Sequence, residues 1–178
     1  MKKNLRLLLI QIIIPLVYGG FFYLLKSGAE VEPLLATVML AAGMYAGALI
    51  LWMDENWLYE YYREQEGQPP TPELSEAPEA PAAPAKKLIT RSLLFILSLL
   101  PLGVFMMTST GSTLGVGMLL GLAVFLLVEF LLAKKDLEYF KQRYLYQLNR
   151  PATAVDVEWY IRGLGIFAVI FSILVIIF

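Results

Sequence analysis

From Ser92 to Val128 the chain carries no charged side chain, a run of 37 residues. As one α-helix at 1.5 Å per residue this run would be about 55 Å long, well beyond a hydrocarbon core of about 30 Å. Only a bilayer interior suits so long an uncharged stretch. Inside a bilayer the backbone must bond within its own segment, which selects helices. The run must therefore be broken once. Its single polar, glycine-containing cluster is Thr108–Gly115 (TSTGSTLG). The reading is two spans, Leu88–Met107 and Leu114–Ala133, joined by a tight turn, with Pro101 kinking the first.

The rest of the chain repeats this character. Hydrophobic residues make up 58% and charged residues 16%, too lopsided for a water-soluble domain. Lys2, Lys3 and Arg6 precede an uncharged run from Leu7 to Leu25, long enough to cross and interrupted by Pro15. It reads as a first span rather than a cleaved leader, because it exceeds the usual leader core and no A-x-A site follows. A short turn at Lys26–Pro33 leads to a second span, Leu34–Met53. Trp52, Trp57, Tyr59, Tyr61 and Tyr62 then form an aromatic belt of the kind found at membrane boundaries. Lys134–Asn149 is amphipathic, with Leu137, Phe140, Tyr144, Leu145 and Leu148 on one face. Arg150-Pro151 ends it, and Thr153 or Asp156 can cap a last helix. That helix supplies a fifth span, Trp159–Phe178, with Arg162 snorkelling to the near headgroups.

Residues Glu66–Ala85 are different. Six of the twenty are proline, four are glutamate, and the only large apolar side chain is Leu74. Proline removes backbone donors and the stretch has little to bury, so a disordered cytoplasmic linker is expected. The chain thus divides into a first transmembrane hairpin with a juxtamembrane helix end (1–65), the linker (66–85), a second hairpin with an amphipathic helix (86–150) and a C-terminal span (151–178).

Charge sets the expected orientation. Five spans put Lys2, Lys3, Arg6, Arg63, Lys86, Lys87, Arg91, Lys134, Lys135, Lys141, Arg143, Arg150 and Arg162 on one side and Lys26 alone on the other. The positive-inside bias then predicts a cytoplasmic N-terminus, an outer C-terminus and a multi-pass protein of a bacterial-type plasma membrane.

The two hairpins resemble each other. Each opens on a Lys pair, and each first span holds a proline followed by a glycine (Pro15 and Gly19, Pro101 and Gly103). Each second span holds G-x-x-x-G, with Gly43 and Gly47 in one and Gly117 and Gly121 in the other. Each ends in a similar string, Glu60-Tyr61-Tyr62-Arg63 and Glu138-Tyr139-Phe140-Lys141. This predicts an all-α integral membrane protein of two parallel-repeated hairpins and a C-terminal helix, the glycines serving helix packing within the chain.

Chemistry is nearly silent. The chain has no Cys and no His, which removes thiolate catalysis and the commonest metal ligand and general base. The acidic clusters are not spaced as metal sites, no cofactor motif is present, and the basic residues sit where topology demands them rather than for nucleic acid. Glu129 is the one ionisable residue expected inside a span. It is a candidate ion or proton site, against the plainer reading of an interfacial anchor that reaches water or Lys134. Trp57, Tyr61, Arg63, Phe140, Arg143 and Tyr144 are candidates for a cytoplasmic partner surface. The expectation is a non-catalytic structural, assembly or scaffold protein whose partners are the lipid bilayer, a cytoplasmic protein and further copies of itself. A small transporter or channel is the alternative. A lipid-active enzyme is third, with Asp136, Asp156 and Glu158 its only acid–base candidates.

Overall fold

The computed structural model describes residues 2–27, 32–59, 61, 88–110, 112–147 and 153–177. Among them the secondary structure is helical throughout. The helices are α1 (Lys2–Lys26), α2 (Pro33–Met53), α3 (Leu93–Phe105), α4 (Thr113–Ala133), α5 (Leu137–Tyr144) and α6 (Ala154–Ile177). Among the described residues four segments are long and apolar enough to cross a membrane: Leu9–Lys26, Pro33–Leu58, Thr113–Ala133 and Ala154–Ile177. The linker expected at Glu66–Ala85 lies outside the described residues.

Local signals set the helix starts. Pro33 occupies the first turn of α2, where its missing N–H costs nothing. The Ser92 hydroxyl accepts from the Phe95 amide to start α3, and the Ser112 hydroxyl accepts from the Gly115 amide to start α4. Thr153 and Asp156 cap α6 reciprocally: the Thr153 amide donates to Asp156 at 2.8 Å and the Asp156 amide to Thr153 Oγ1 at 3.3 Å. Pro15 lies inside α1 and is buried. In the turn before it, the Tyr45 hydroxyl donates to the Ile12 carbonyl at 3.2 Å, tying α1 to α2.

The third apolar segment departs from expectation at its start. Leu88 is extended, Ile89–Arg91 forms a single 3₁₀ turn, and α-helix begins only at Leu93. The apolar helix Leu93–Thr108 is about 24 Å long, short of a full crossing. The delay has a cause: the turn aims Thr90 and Arg91 into the bundle, where both are buried. The amphipathic stretch forms a helix separate from α4. Lys134–Asp136 makes a turn, and the Asp136 carboxylate accepts from the Tyr139 amide to begin α5 anew.

Helix α4 is the centre, with α2 and α6 as its principal neighbours and α1 packed on α2. It is buried along most of its length, including Leu119, Leu120, Ala123 and Leu126. Large apolar side chains of α1, α3 and α6 stay outward, among them Leu16, Leu24, Leu94, Ile166 and Val169. Apolar outside as well as inside is the pattern of helices solvated by lipid.

The α2–α4 contact is made by glycine. A β-carbon on Gly47 would stand 2.5 Å from the Met118 carbonyl oxygen, and one on Gly121 2.5 Å from that of Met44. Gly43 meets the Leu114 carbonyl and Gly117 the Leu40 carbonyl more closely still. The partners ascend together in number, so the two helices run parallel. The contact is also reciprocal under one shift of 74 positions (43 to 117, 47 to 121, 40 to 114, 44 to 118). Residue for residue, α2 presents to α4 what α4 presents to α2.

Candidate functional site

Both partners of the central pair carry a carboxylate near the same end, Glu55 just past α2 and Glu129 in α4. Helix α2 widens at Asp54–Leu58 into a π-helical turn. A wider turn subtends a smaller angle per residue, and consecutive Asp54 and Glu55 both face the same neighbour, Arg91. Asp54 is 1% exposed. It accepts from the Thr90 amide at 2.9 Å and from the Thr90 hydroxyl.

Arg91 is the hub. Its Nε and Nη2 lie 2.9 Å from the two Glu129 carboxylate oxygens, a bidentate fork. Nη2 also donates to Glu55 at 3.2 Å, and Nη1 donates to the Leu51 carbonyl at 3.1 Å and to Thr90 Oγ1 at 3.2 Å. Asp54 completes the ring at 3.7 Å. A guanidinium this buried is tolerable only when every face is paired, because unpaired burial of a charge costs several kcal/mol.

A second arginine closes the other side. Arg143 of α5 donates to Glu55 at 2.7 Å and lies 3.5 Å from Glu129. Its guanidinium stands over the rings of Tyr139 and Tyr144, at 5.7 and 5.8 Å from their centroids. Its buried Nε has no hydrogen-bond partner among the described residues. Burial works against the Arg143 charge, but Glu55, Tyr144 and Glu129 together outweigh it, and the guanidinium is held above its ordinary value. The Tyr144 hydroxyl donates to Glu129 at 2.9 Å. Burial, and then the Glu129 charge, push the Tyr144 phenol well above the usual tyrosine range. The position of α5 is fixed by aromatic packing: Phe130 meets Phe140 at 5.5 Å, Tyr144 at 4.6 Å and Tyr160 of α6 at 5.2 Å.

Beside this cluster is a cavity of about 250 Å³. Ile10 and Gln11 of α1 form one wall, and Leu51, Trp52 and Glu55 form another. Phe125, Glu129 and Leu132 of α4, with Tyr139 and Arg143 of α5, complete it.

The residues expected to matter are distributed unevenly. Gly43, Gly47, Gly117 and Gly121 meet in one contact. Glu129 joins the cluster and pairs with Arg91, Arg143 and Tyr144 rather than with Lys134. Phe140, Arg143 and Tyr144 were expected on a partner surface; they are buried inside the bundle instead, because the apolar face of α5 packs on α4 and α6. Trp57 and Tyr61 are exposed, and Arg63 lies outside the described residues. Asp136 and Asp156 serve as helix caps and Glu158 pairs with Arg162 at 2.7 Å, so these three acids are not assembled into a site. No group of metal-binding side chains occurs among the described residues. Asp54, Glu55, Thr90 and Arg91 were not singled out as a site. The sequence signal for them is an acidic pair, Asp54 and Glu55, at the end of an apolar run.

No known protein family, curated protein or solved structure matches this chain.

Proposed function

We propose that this chain is a non-catalytic, multi-pass protein of a bacterial-type plasma membrane that serves as a structural, assembly or scaffold component. It crosses five times with its N-terminus in the cytoplasm, the short Leu93–Thr108 helix being the third crossing. Its two hairpins arose by duplication, a reading that the reciprocal glycine contact between α2 and α4 supports. The observation that carries the functional reading is the spending of charge. The ionisable side chains brought together at the cytoplasmic end of the bundle are committed to one another across both hairpins, as a lock would be. Exposed Trp57 and Tyr61 are left beside that lock as the contact for a cytoplasmic partner.

The same central contact counts against a pore along the bundle axis, since the α2 and α4 backbones touch where a lumen would run. The test is purification of the full chain in mild detergent beside a Trp57→Ala/Tyr61→Ala variant, with quantitative mass spectrometry. The expected result is a stoichiometric companion protein that the variant loses while keeping its own elution volume. A chain that purifies alone and moves a solute in liposomes would replace this reading with the transporter one.

A further inference from the structure

We infer that the cavity beside Glu129 is a binding site for an uncharged, carbonyl-bearing amphiphile, a membrane quinone whose ring lies among α1, α2, α4 and α5. The inference rests on membrane embedding of the bundle and not on the scaffold reading. Two polar groups of the lining carry it. Arg143 Nε is a buried donor with no hydrogen-bond partner among the described residues, on a side chain only 7% exposed. Gln11 of α1 is half-buried within an apolar stretch, and its amide also has no hydrogen-bond partner among the described residues. Both residues line the same cavity, from different helices. Buried polar groups are nearly always satisfied, so two open ones around one cavity mark what its occupant supplies. Arg143 Nε can only donate, and the Gln11 amide can donate through its nitrogen. The occupant therefore presents acceptor oxygen at two points.

Charge and shape narrow the class. The lining holds Arg91 and Arg143 against Glu55 and Glu129, which cancel. Buried Asp54 adds a negative charge beside Arg91. Both Glu129 oxygens already accept, from Arg91 Nε and Nη2 and from the Tyr144 hydroxyl. A cationic headgroup finds those acceptors taken, and an anionic one meets an excess of carboxylate. An uncharged acceptor meets neither obstacle. The remaining lining is apolar at Ile10, Leu51, Phe125 and Leu132, and Trp52 and Tyr139 add exposed aromatic faces. An apolar cavity of about 150 Å³ holds benzene. This one, at about 250 Å³, has room for a substituted ring. A quinone joins these demands. It has a flat ring to stack on aromatic side chains, carbonyl oxygens on opposite edges, no charge, and an apolar tail that stays in the lipid.

The test is native mass spectrometry of the full chain in mild detergent, titrated with decylubiquinone, decylbenzene or dioctanoylglycerol. Decylbenzene keeps a ring and the tail without carbonyls, and dioctanoylglycerol keeps carbonyls without a ring. The expected result is a one-to-one adduct with decylubiquinone, at least tenfold tighter than with either of the others. Gln11→Leu, which removes the amide at nearly constant volume, should weaken that adduct at least threefold with gel filtration unchanged. The cavity-filling Leu132→Trp should abolish it. Equal binding of decylbenzene overturns the proposal, because the donors then play no part. Equal binding of dioctanoylglycerol overturns the quinone and gives the site to a glycerolipid ester. No adduct with any probe, or undiminished binding by either folded variant, sinks the site. None of these readouts depends on a partner protein.

Discussion

The Arg91 guanidinium meets the Glu129 carboxylate fork to fork, with two nitrogens each 2.9 Å from a carboxylate oxygen. The same guanidinium holds the Leu51 carbonyl and Glu55 of the first hairpin. One side chain therefore ties the foot of α3 to the end of α4 and the second hairpin to the first. Arg91→Met leaves Asp54, Glu55 and Glu129 without their shared partner. Removing one member of a buried ion pair costs about 3–5 kcal/mol. The expected outcome is a loss of that order in denaturant unfolding in mixed micelles followed by circular dichroism. Adding Glu129→Gln to Arg91→Met should recover part of it, because the uncompensated charge goes with the carboxylate. Arg91→Lys should fail as well, since an ammonium has no planar fork. A loss below about 1 kcal/mol for Arg91→Met would mean the network is not holding the hairpins.

Glycines in this chain should split by sign. A β-carbon at Gly47 or Gly121 would stand 2.5 Å from a carbonyl oxygen, whereas one at Gly20 or Gly163 would meet nothing within 4 Å. Backbone cannot move aside as a side chain tip can. Gly47→Ala and Gly121→Ala are expected to destabilise by about 1–3 kcal/mol, as overpacking does. Gly20→Ala and Gly163→Ala should instead be neutral or gain up to about 1 kcal/mol from helix propensity. The four variants belong in one unfolding series. A uniform response would show that composition rather than the α2–α4 contact governs these positions.

The helices were legible because lipid leaves a plain record: long uncharged runs, prolines and capping residues at their edges, and aromatics at the ends. The packing glycines were legible too, since G-x-x-x-G places two of them on one face. The charge cluster was not. Arg91 reads as one more basic residue at a span entrance, and nothing local says that a 3₁₀ turn aims it inward. Glu129 stands out in the sequence by its depth, but its nearest cation in sequence, Lys134, is not its partner. Arg91 stands 38 positions away, and Arg143 reaches Glu55 across 88. Pairings of that span depend on how α3 and α5 dock, which no short-range pattern encodes. For the same reason α5 was read as an outward surface: its apolar face was identified, but not that α4 and α6 cover it.

Tyr144 gives a prediction about alkaline pH. Burial and Glu129 raise its phenol in the folded state above the usual value of about 10. A folded pKa above the unfolded one contributes stability that is complete below the unfolded value and is lost as pH rises toward the folded one. Below pH 9 the hydroxyl's bond to the Glu129 carboxylate is intact, and Tyr144→Phe should cost about 1.5–3 kcal/mol. Above pH 10 the unfolded wild type gains by ionising this tyrosine and the phenylalanine variant does not. The difference between the two proteins should therefore shrink with rising pH. Unfolding of both at pH 8 and pH 10.5 measures it, and a gap that widens would contradict the buried neutral phenol.

Orientation can be read with single cysteines, because the chain has none of its own. Thirteen of the fourteen Lys and Arg residues lie on one side of a five-span arrangement and Lys26 on the other. Ser75→Cys, in the proline-rich segment, should react with a membrane-impermeant maleimide only after the cells are opened. Lys26→Cys should react in intact cells. The short Leu93–Thr108 helix makes a third position informative, since Ser112 follows it and caps α4. If that helix crosses, as proposed, Ser112→Cys reports from the outer side with Lys26→Cys. If it only dips into one leaflet, Ser112 stays on the inner side, and α4, which then has to cross outward, carries Lys134 and Lys135 to the outer surface. Cysteines at those two positions labelled in intact cells would reduce the crossings to four and reverse the central pair.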